Sequence, residues 1–148
     1  MEVKIIYGSE TGNSETLAND AKKTLSASGI DAQVLDMQDV KLSDIKEYKN
    51  LLVITSTWGD GEPPCNAMDL HEELTSASGA DLAGLNYAVF AIGQSFYDQF
   101  CKAGKDFDSG LAALGATRLA EITLSDDDFD DTFPEWIAKI KDLLLKQS

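Results

Sequence analysis

Leu51-Leu52-Val53-Ile54 is apolar at every position. A strand with one solvated face alternates apolar and polar side chains. An unbroken run belongs to a strand buried on both faces, and such strands occur in parallel sheets covered by helices on either side. Tyr87 to Ile92 reads the same way. Around these two runs the chain alternates. Val3 to Tyr7 reads as strand one and Ser14 to Ser28 as helix one, stopped by Gly29. Ile30 to Leu35 alternates, as an edge strand does, and Ser43 to Tyr48 is at most a short helical turn. Asn66 to Ala77 carries Ala67, Leu70, Leu74 and Ala77 at helical spacing. Phe100, Ala103, Phe107, Leu111 and Leu114 mark one face of the next helix. Thr117 to Leu124 reads as an uninterrupted fifth strand. Thr132-Phe133-Pro134-Glu135 then has the form of a capping box with Pro in the first turn. Behind it Trp136, Ile137, Ile140, Leu143 and Leu144 form the apolar face of a closing helix. Strands alternating with helices in this way predict an α/β fold, a doubly wound parallel sheet with helices on both faces. Residues 1–148 read as one domain, without an internal repeat or a linker.

In such folds ligands bind beyond the carboxyl ends of the strands, at the topological switch point. The loops after strands one, three and four therefore carry the functional reading. The first is Gly8-Ser9-Glu10-Thr11-Gly12-Asn13-Ser14, between a strand and an amphipathic helix. A helix N-terminus points unpaired N–H groups at such a loop and adds partial positive charge. Ser9, Thr11, Asn13 and Ser14 add neutral donors, and between Val3 and Asp20 the only basic residue is Lys4. A cluster like this is by itself also explained as a loop with a helix cap. Spacing removes other phosphate chemistries. A Walker loop needs four residues between its glycines and then Gly-Lys-Ser/Thr, whereas Gly8 and Gly12 enclose three and no Lys follows. The turn has no GxGxxG, Thr55 and Ser56 stand where a receiver domain needs an Asp, and neither cysteine begins a CxxxxxR loop.

After strand three comes Thr55-Ser56-Thr57-Trp58-Gly59-Asp60-Gly61-Glu62-Pro63-Pro64, and after strand four Gly93-Gln94-Ser95-Phe96-Tyr97-Asp98-Gln99-Phe100-Cys101. Each holds an aromatic residue flanked by glycine. Trp58 and Tyr97 would face each other across a cleft whose far end is the hydroxyl-rich loop, a space suited to a planar ring with a phosphate tail. Singly, each aromatic is explained by packing under its loop. Jointly, beside a phosphate cradle, they point to a ligand.

Composition narrows the partners. Twelve basic against 26 acidic residues give a net charge of −14, which repels nucleic acid and anionic membranes and favours basic proteins. Asp126-Asp127-Asp128-Phe129-Asp130-Asp131 concentrates that charge before the last helix. It serves as a solvated loop complementing the helix N-terminus, or as part of a docking face. Cys65 and Cys101 form no CxxC and read as reduced thiols of a cytoplasmic protein. With His71 as the single histidine, expected on a helix surface, the sequence disfavours a His-based metal site or a Ser/His/Asp triad. No apolar run reaches membrane-spanning length, and the first residues enter a strand without a leader pattern.

With these motifs in order along essentially the whole chain, the sequence resembles a flavodoxin, or the similar FMN-binding domain of the diflavin reductases. Gly8 to Ser14 resembles the family's FMN-phosphate loop, Ser56-Thr57-Trp58-Gly59-Asp60-Gly61 its first isoalloxazine loop, and Gly93 to Cys101 its second. The unbroken fifth strand resembles the short-chain group. The resemblance implies a five-stranded sheet of order 2-1-3-4-5 binding FMN without a metal. It implies contacts from Ser9, Glu10, Thr11, Gly12, Asn13 and Ser14 to the phosphate end. To the ring it implies contacts from Ser56, Thr57, Trp58, Gly59, Asp60, Gly61, Gly93, Gln94, Tyr97, Phe100 and Cys101. Ser14 stands where many members have Thr, keeping the hydroxyl, and Gln94 stands where an Asp often follows the glycine.

The implied function is a monomeric, low-potential one-electron carrier, not an enzyme with its own substrate. It would cycle FMN between semiquinone and hydroquinone, taking electrons from an NADPH-dependent flavodoxin reductase and passing them to acceptor enzymes. The Gly59 peptide would flip on reduction so that its carbonyl accepts the new flavin N5–H, inexpensively because either sign of φ is open to glycine. Each carboxylate about 10 Å from the ring, such as Asp60, Glu62 or Asp98, would disfavour the reduced anion by roughly 0.4 kcal/mol before salt screening. Two alternatives stand beside this. Gly61-Glu62-Pro63-Pro64 and Gly104-Lys105-Asp106-Phe107-Asp108 suggest the FMN domain of a diflavin reductase; a start at Met1 and an end just past a helix favour the free-standing form. A non-redox module that has lost flavin is disfavoured by Trp58 and Tyr97.

Overall fold

A computed structural model gives the fold and describes residues 2–8, 13–56, 67–76, 82–92, 102–125 and 129–147. In chain order the elements are β1 (Glu2–Gly8), α1 (Asn13–Ala27), β2 (Asp31–Asp36), a 3₁₀ turn (Met37–Asp39), α2 (Leu42–Ile45), β3 (Asn50–Ser56) and α3 (Met68–Ser76). Then follow β4 (Asn86–Ile92), α4 (Lys102–Ala113), β5 (Thr117–Arg118), β6 (Thr123–Ser125) and α5 (Phe129–Gln147). The strands are parallel in the order β2-β1-β3-β4-β5, with β6 also on β4. The chain thus winds outward from β1 to β2 and then crosses back to β3, which puts the switch point between β1 and β3.

The apolar runs explain this layout. Leu51 to Ile54 and Tyr87 to Ile92 are buried throughout, because successive side chains enter two different cores. Leu52, Ile54, Ala88 and Phe90 pack with α1 and α5, while Leu51, Val53, Tyr87 and Val89 pack with α3 and α4. Ser14 extends the stripe of Leu17, Ala18, Ala21 and Leu25 that α1 buries. Glu73 of α3 caps α2, accepting from the Leu42 N–H at 3.0 Å. At the opposite edge of the sheet Arg118 grips Asp108 of α4 with two hydrogen bonds of 3.0 and 2.8 Å. Burial, then the Asp108 carboxylate, holds the Tyr87 hydroxyl above the ordinary phenol range, and it donates to the Asp108 carbonyl at 3.0 Å.

Three expectations need correction. The fifth strand is interrupted. Thr117 and Arg118 pair with Asn86 and Tyr87, but Thr123 to Ser125 pair with Phe90 to Ile92, so residues 119–122 stand opposite Ala88 and Val89 alone. The two extra residues are absorbed as a bulge, since Leu119 and Ala120 pack into one core and Ile122 into the other. The last helix begins at Phe129, not at the box around Thr132, and Pro134 lies inside it. Phe129 packs against the α1/α5 core, and that burial draws the preceding turn into the helix although Pro134 offers no N–H to it. His71, expected on a surface, is mostly buried against α4.

Candidate functional site

Because all strands run the same way, the segments 9–12, 57–66, 93–101 and 126–128 all leave from one edge of the sheet. Register places the ends together: Gly8 is paired with Thr55, and Ser56 with Ile92. Ser9, Glu10, Thr11, Gly12, Thr57, Trp58, Gly59, Asp60, Gly61, Gly93, Gln94, Tyr97, Phe100 and Cys101 lie outside the described residues, as do Cys65, Glu62, Asp98 and the run 126–128. Of the expected site, Asn13 is the first residue of α1, Ser14 the second, and Ser56 the last of β3. The structure thereby joins the roots of the three loops at the switch point.

Two described features show what that edge is built to hold. At Gly8 the backbone is crowded from three sides. A Cβ there would sit 2.9 Å from Ala67 Cβ and 3.0 Å from both Met37 Sδ and Thr55 Oγ1, so any side chain at this position must push a neighbour aside. Beyond it, Ser14 has no exposed surface and its Oγ has no hydrogen-bond partner among the described residues. A buried hydroxyl left unpaired costs about 1–3 kcal/mol, so this one calls for a partner beyond the described residues. An anion fits: Ser14 Oγ–H and the first N–H groups of α1 are all donors, and the dipole adds positive potential.

Residues outside the sequence-derived set support this edge. Burial first, then the carboxylates of Asp36 and Glu15, hold the Tyr7 hydroxyl above its usual range. Tyr7 thus stays protonated beside the first turn of α1 and the end of β2. A tyrosine closing an otherwise aliphatic strand was the one signal of this in the sequence.

A doubly wound parallel sheet with its switch point between β1 and β3 belongs to a class of proteins that bind ligands beyond the carboxyl ends of the strands. A family model described as flavodoxin matches residues 5–136. The chain is 42% identical over 136 residues to the sulfite reductase (NADPH) flavoprotein alpha-component of Bacillus subtilis, covering 92% of this chain and 22% of that protein. With its counterpart in Vibrio vulnificus it shares 39% over 147 residues, 97% of this chain and 24% of the other. It therefore spans about a quarter of the length of these curated relatives. Among solved structures, a flavodoxin of Streptococcus pneumoniae superposes with a TM-score of 0.87 at 33% identity, covering 100% of both chains. Flavodoxin 2 of Bacillus cereus, in its oxidised form, gives 0.83 at 28% identity, again covering 100% of both. This chain belongs to the flavodoxin family, and its cofactor is FMN. The described residues fit that group, with the neutral cradle of Gly8 and Ser14 matching a phosphate monoester.

Proposed function

We propose that the chain is a one-electron carrier between redox proteins, without a substrate of its own. When bound, FMN supplies the chemistry by taking up and giving off electrons singly. The protein binds it, orients it and excludes water. Ser9, Thr11, Asn13, Ser14 and the amides of the loop hold the phosphate. Trp58 and Tyr97 enclose the ring, with Tyr97 nearer solvent, and Gly59 offers a backbone free to reorient. The observation that carries this reading is the buried, unpartnered Ser14 hydroxyl at the start of α1.

Ser14→Ala is the corresponding test. Removing an unpaired buried hydroxyl should leave the apoprotein as stable or more so, by up to about 1–3 kcal/mol. It should also weaken FMN binding about tenfold or more, the worth of a hydrogen bond to a charged group. Unchanged affinity in flavin-fluorescence titration would remove Ser14 from the site. A colourless protein that takes up no FMN would remove the whole proposal.

The net charge of −14 supports partners with basic docking faces and argues against nucleic acid and anionic membranes. With a basic redox protein such as cytochrome c as acceptor, the bimolecular rate should fall about tenfold or more between 50 and 500 mM salt, since the Debye length is only about 10 Å at 0.1 M. A flat salt dependence would argue against docking by charge.

A second reading is favoured by one observation: the sulfite reductase relatives, at 39–42% identity, are larger proteins of which this chain matches one portion. On that reading the chain is the FMN-binding part or subunit of a diflavin-type reductase. Efficient reduction by a separate NADPH-oxidising flavoprotein would favour the free carrier. We place the protein in the cytoplasm, on its sparse, unpatterned cysteines, and expect it to act as a monomer.

A further inference from the structure

The chain's one histidine lies between the two helices that follow the ring-side segments. α3 begins just after 57–66, and α4 just after 93–101. His71 Nε2 stands 2.8 Å from Asp106 Oδ2, with the two side chains 18% and 24% exposed. The edge of the imidazole meets the buried Phe107 ring at 5.8 Å and 74°, and the His71 carbonyl accepts from Thr75 Oγ1 at 2.8 Å. Both ring contacts come from α4. The helices approach again at Gly110, where a Cβ would lie 2.9 Å from Leu74 Cγ. Beside these contacts opens a cavity of about 250 Å³ lined by Leu74, Thr75, Asp106, Ser109, Ala113 and Leu114.

We propose that the His71–Asp106 pair is a positioning clamp that sets the spacing of α3 and α4, and with it the fit of FMN, in a protonation-dependent way. It rests on the reading above that segments 57–66 and 93–101 hold the ring. Neutral imidazole makes one hydrogen bond to the carboxylate. Protonated imidazole makes a charge-assisted one, shorter and stronger. The other charged groups on these elements are otherwise placed. Glu73 accepts from Leu42 N–H, Asp44 of α2 from Lys41 N–H, and Asp108 is paired with Arg118. Asp69 and Glu72 on α3, Asp39 on the 3₁₀ turn and Lys105 on α4 are exposed. Among the described residues Asp106 is the charged group within hydrogen-bond distance of the imidazole.

The test compares FMN dissociation constants of wild type, His71→Gln and Asp106→Asn from pH 5.5 to 8.5. FMN's own phosphate titrates in this range, so the readout is the ratio between proteins at each pH. Gln keeps a donor but no proton to gain. Its constant should match wild type near pH 8.5 and be about two- to fivefold weaker near pH 5.5, the scale of a partly exposed ion pair. Asp106→Asn should flatten the profile in the same way. Amide exchange of the apoproteins gives an arm independent of flavin. Near pH 5.5 α3 and α4 should exchange faster in either variant than in wild type, while α1 and α5 should not. A variant-to-wild-type ratio that is constant across pH, or exchange that is pH-independent in its difference, overturns the clamp. Should wild type fail to bind FMN, the carrier reading falls, and the exchange arm still decides the clamp.

Discussion

Phe90→Ala should lower the unfolding free energy by about 3–5 kcal/mol, a large share of the marginal stability of a single domain. Phe90 is wholly buried in the middle of β4, and α5 closes over it with two aromatic rings. Its ring lies edge-on to Phe133 at 5.1 Å and 90°, and tilted to Trp136 at 5.4 Å and 54°. Phe133 and Trp136 are themselves 5.5 Å apart. Removing Phe90 forfeits its transfer free energy, leaves a cavity, and breaks two aromatic pairs of about 0.5–1.5 kcal/mol each. The rigid rings around it, fixed on α5 and the sheet, cannot collapse to fill the space. Urea denaturation of the apoprotein should show a lower midpoint with an unchanged slope. A loss below about 1.5 kcal/mol would mean that α5 repacks freely, against the packing seen.

Gly104→Ala should destabilise by about 1–3 kcal/mol, although alanine is the better helix former by about 1 kcal/mol. A Cβ on Gly104 would fall 2.3 Å from Ala91 Cβ and 3.3 Å from Ala91 Cα. Both atoms are fixed by backbone, so no rotamer relieves the overlap and α4 must lift off β4. Lifting moves the start of α4, at the root of segment 93–101, so FMN affinity should fall together with stability. Ala91→Gly, made in the same background, should recover part of the loss, and the coupling in that double-mutant cycle is the decisive number. A Gly104→Ala protein at least as stable as wild type, with no coupling to Ala91, would refute the close approach.

These two residues also show how far sequence reading reached. Phe90 was recognisable as core because it sits in an apolar run too regular to face water. Gly104 was visible only as part of a motif. That its missing Cβ makes room for Ala91 depends on two elements meeting, and no local pattern encodes such a meeting. The same holds for His71. One histidine on an amphipathic helix reads as a surface residue until Asp106, 35 positions later, is brought to it. The fifth strand failed for a different reason. Thr117 to Leu124 has neither Gly nor Pro to mark a break, and the bulge arises because Leu119, Ala120 and Ile122 satisfy different cores.

Sequence alone determined the alternation of strands and helices and the parallel sheet, and its resemblance to the flavodoxin family implied FMN. The alternation and the sheet follow from periodicities of two and 3.6, which are local properties. The tertiary structure decided the rest: that Gly8 is hemmed in by Ala67, Met37 and Thr55, and that Ser14 is buried without a partner. It also brought His71 to Asp106. Each depends on distances between residues far apart in the chain, set by how the two cores pack against the sheet.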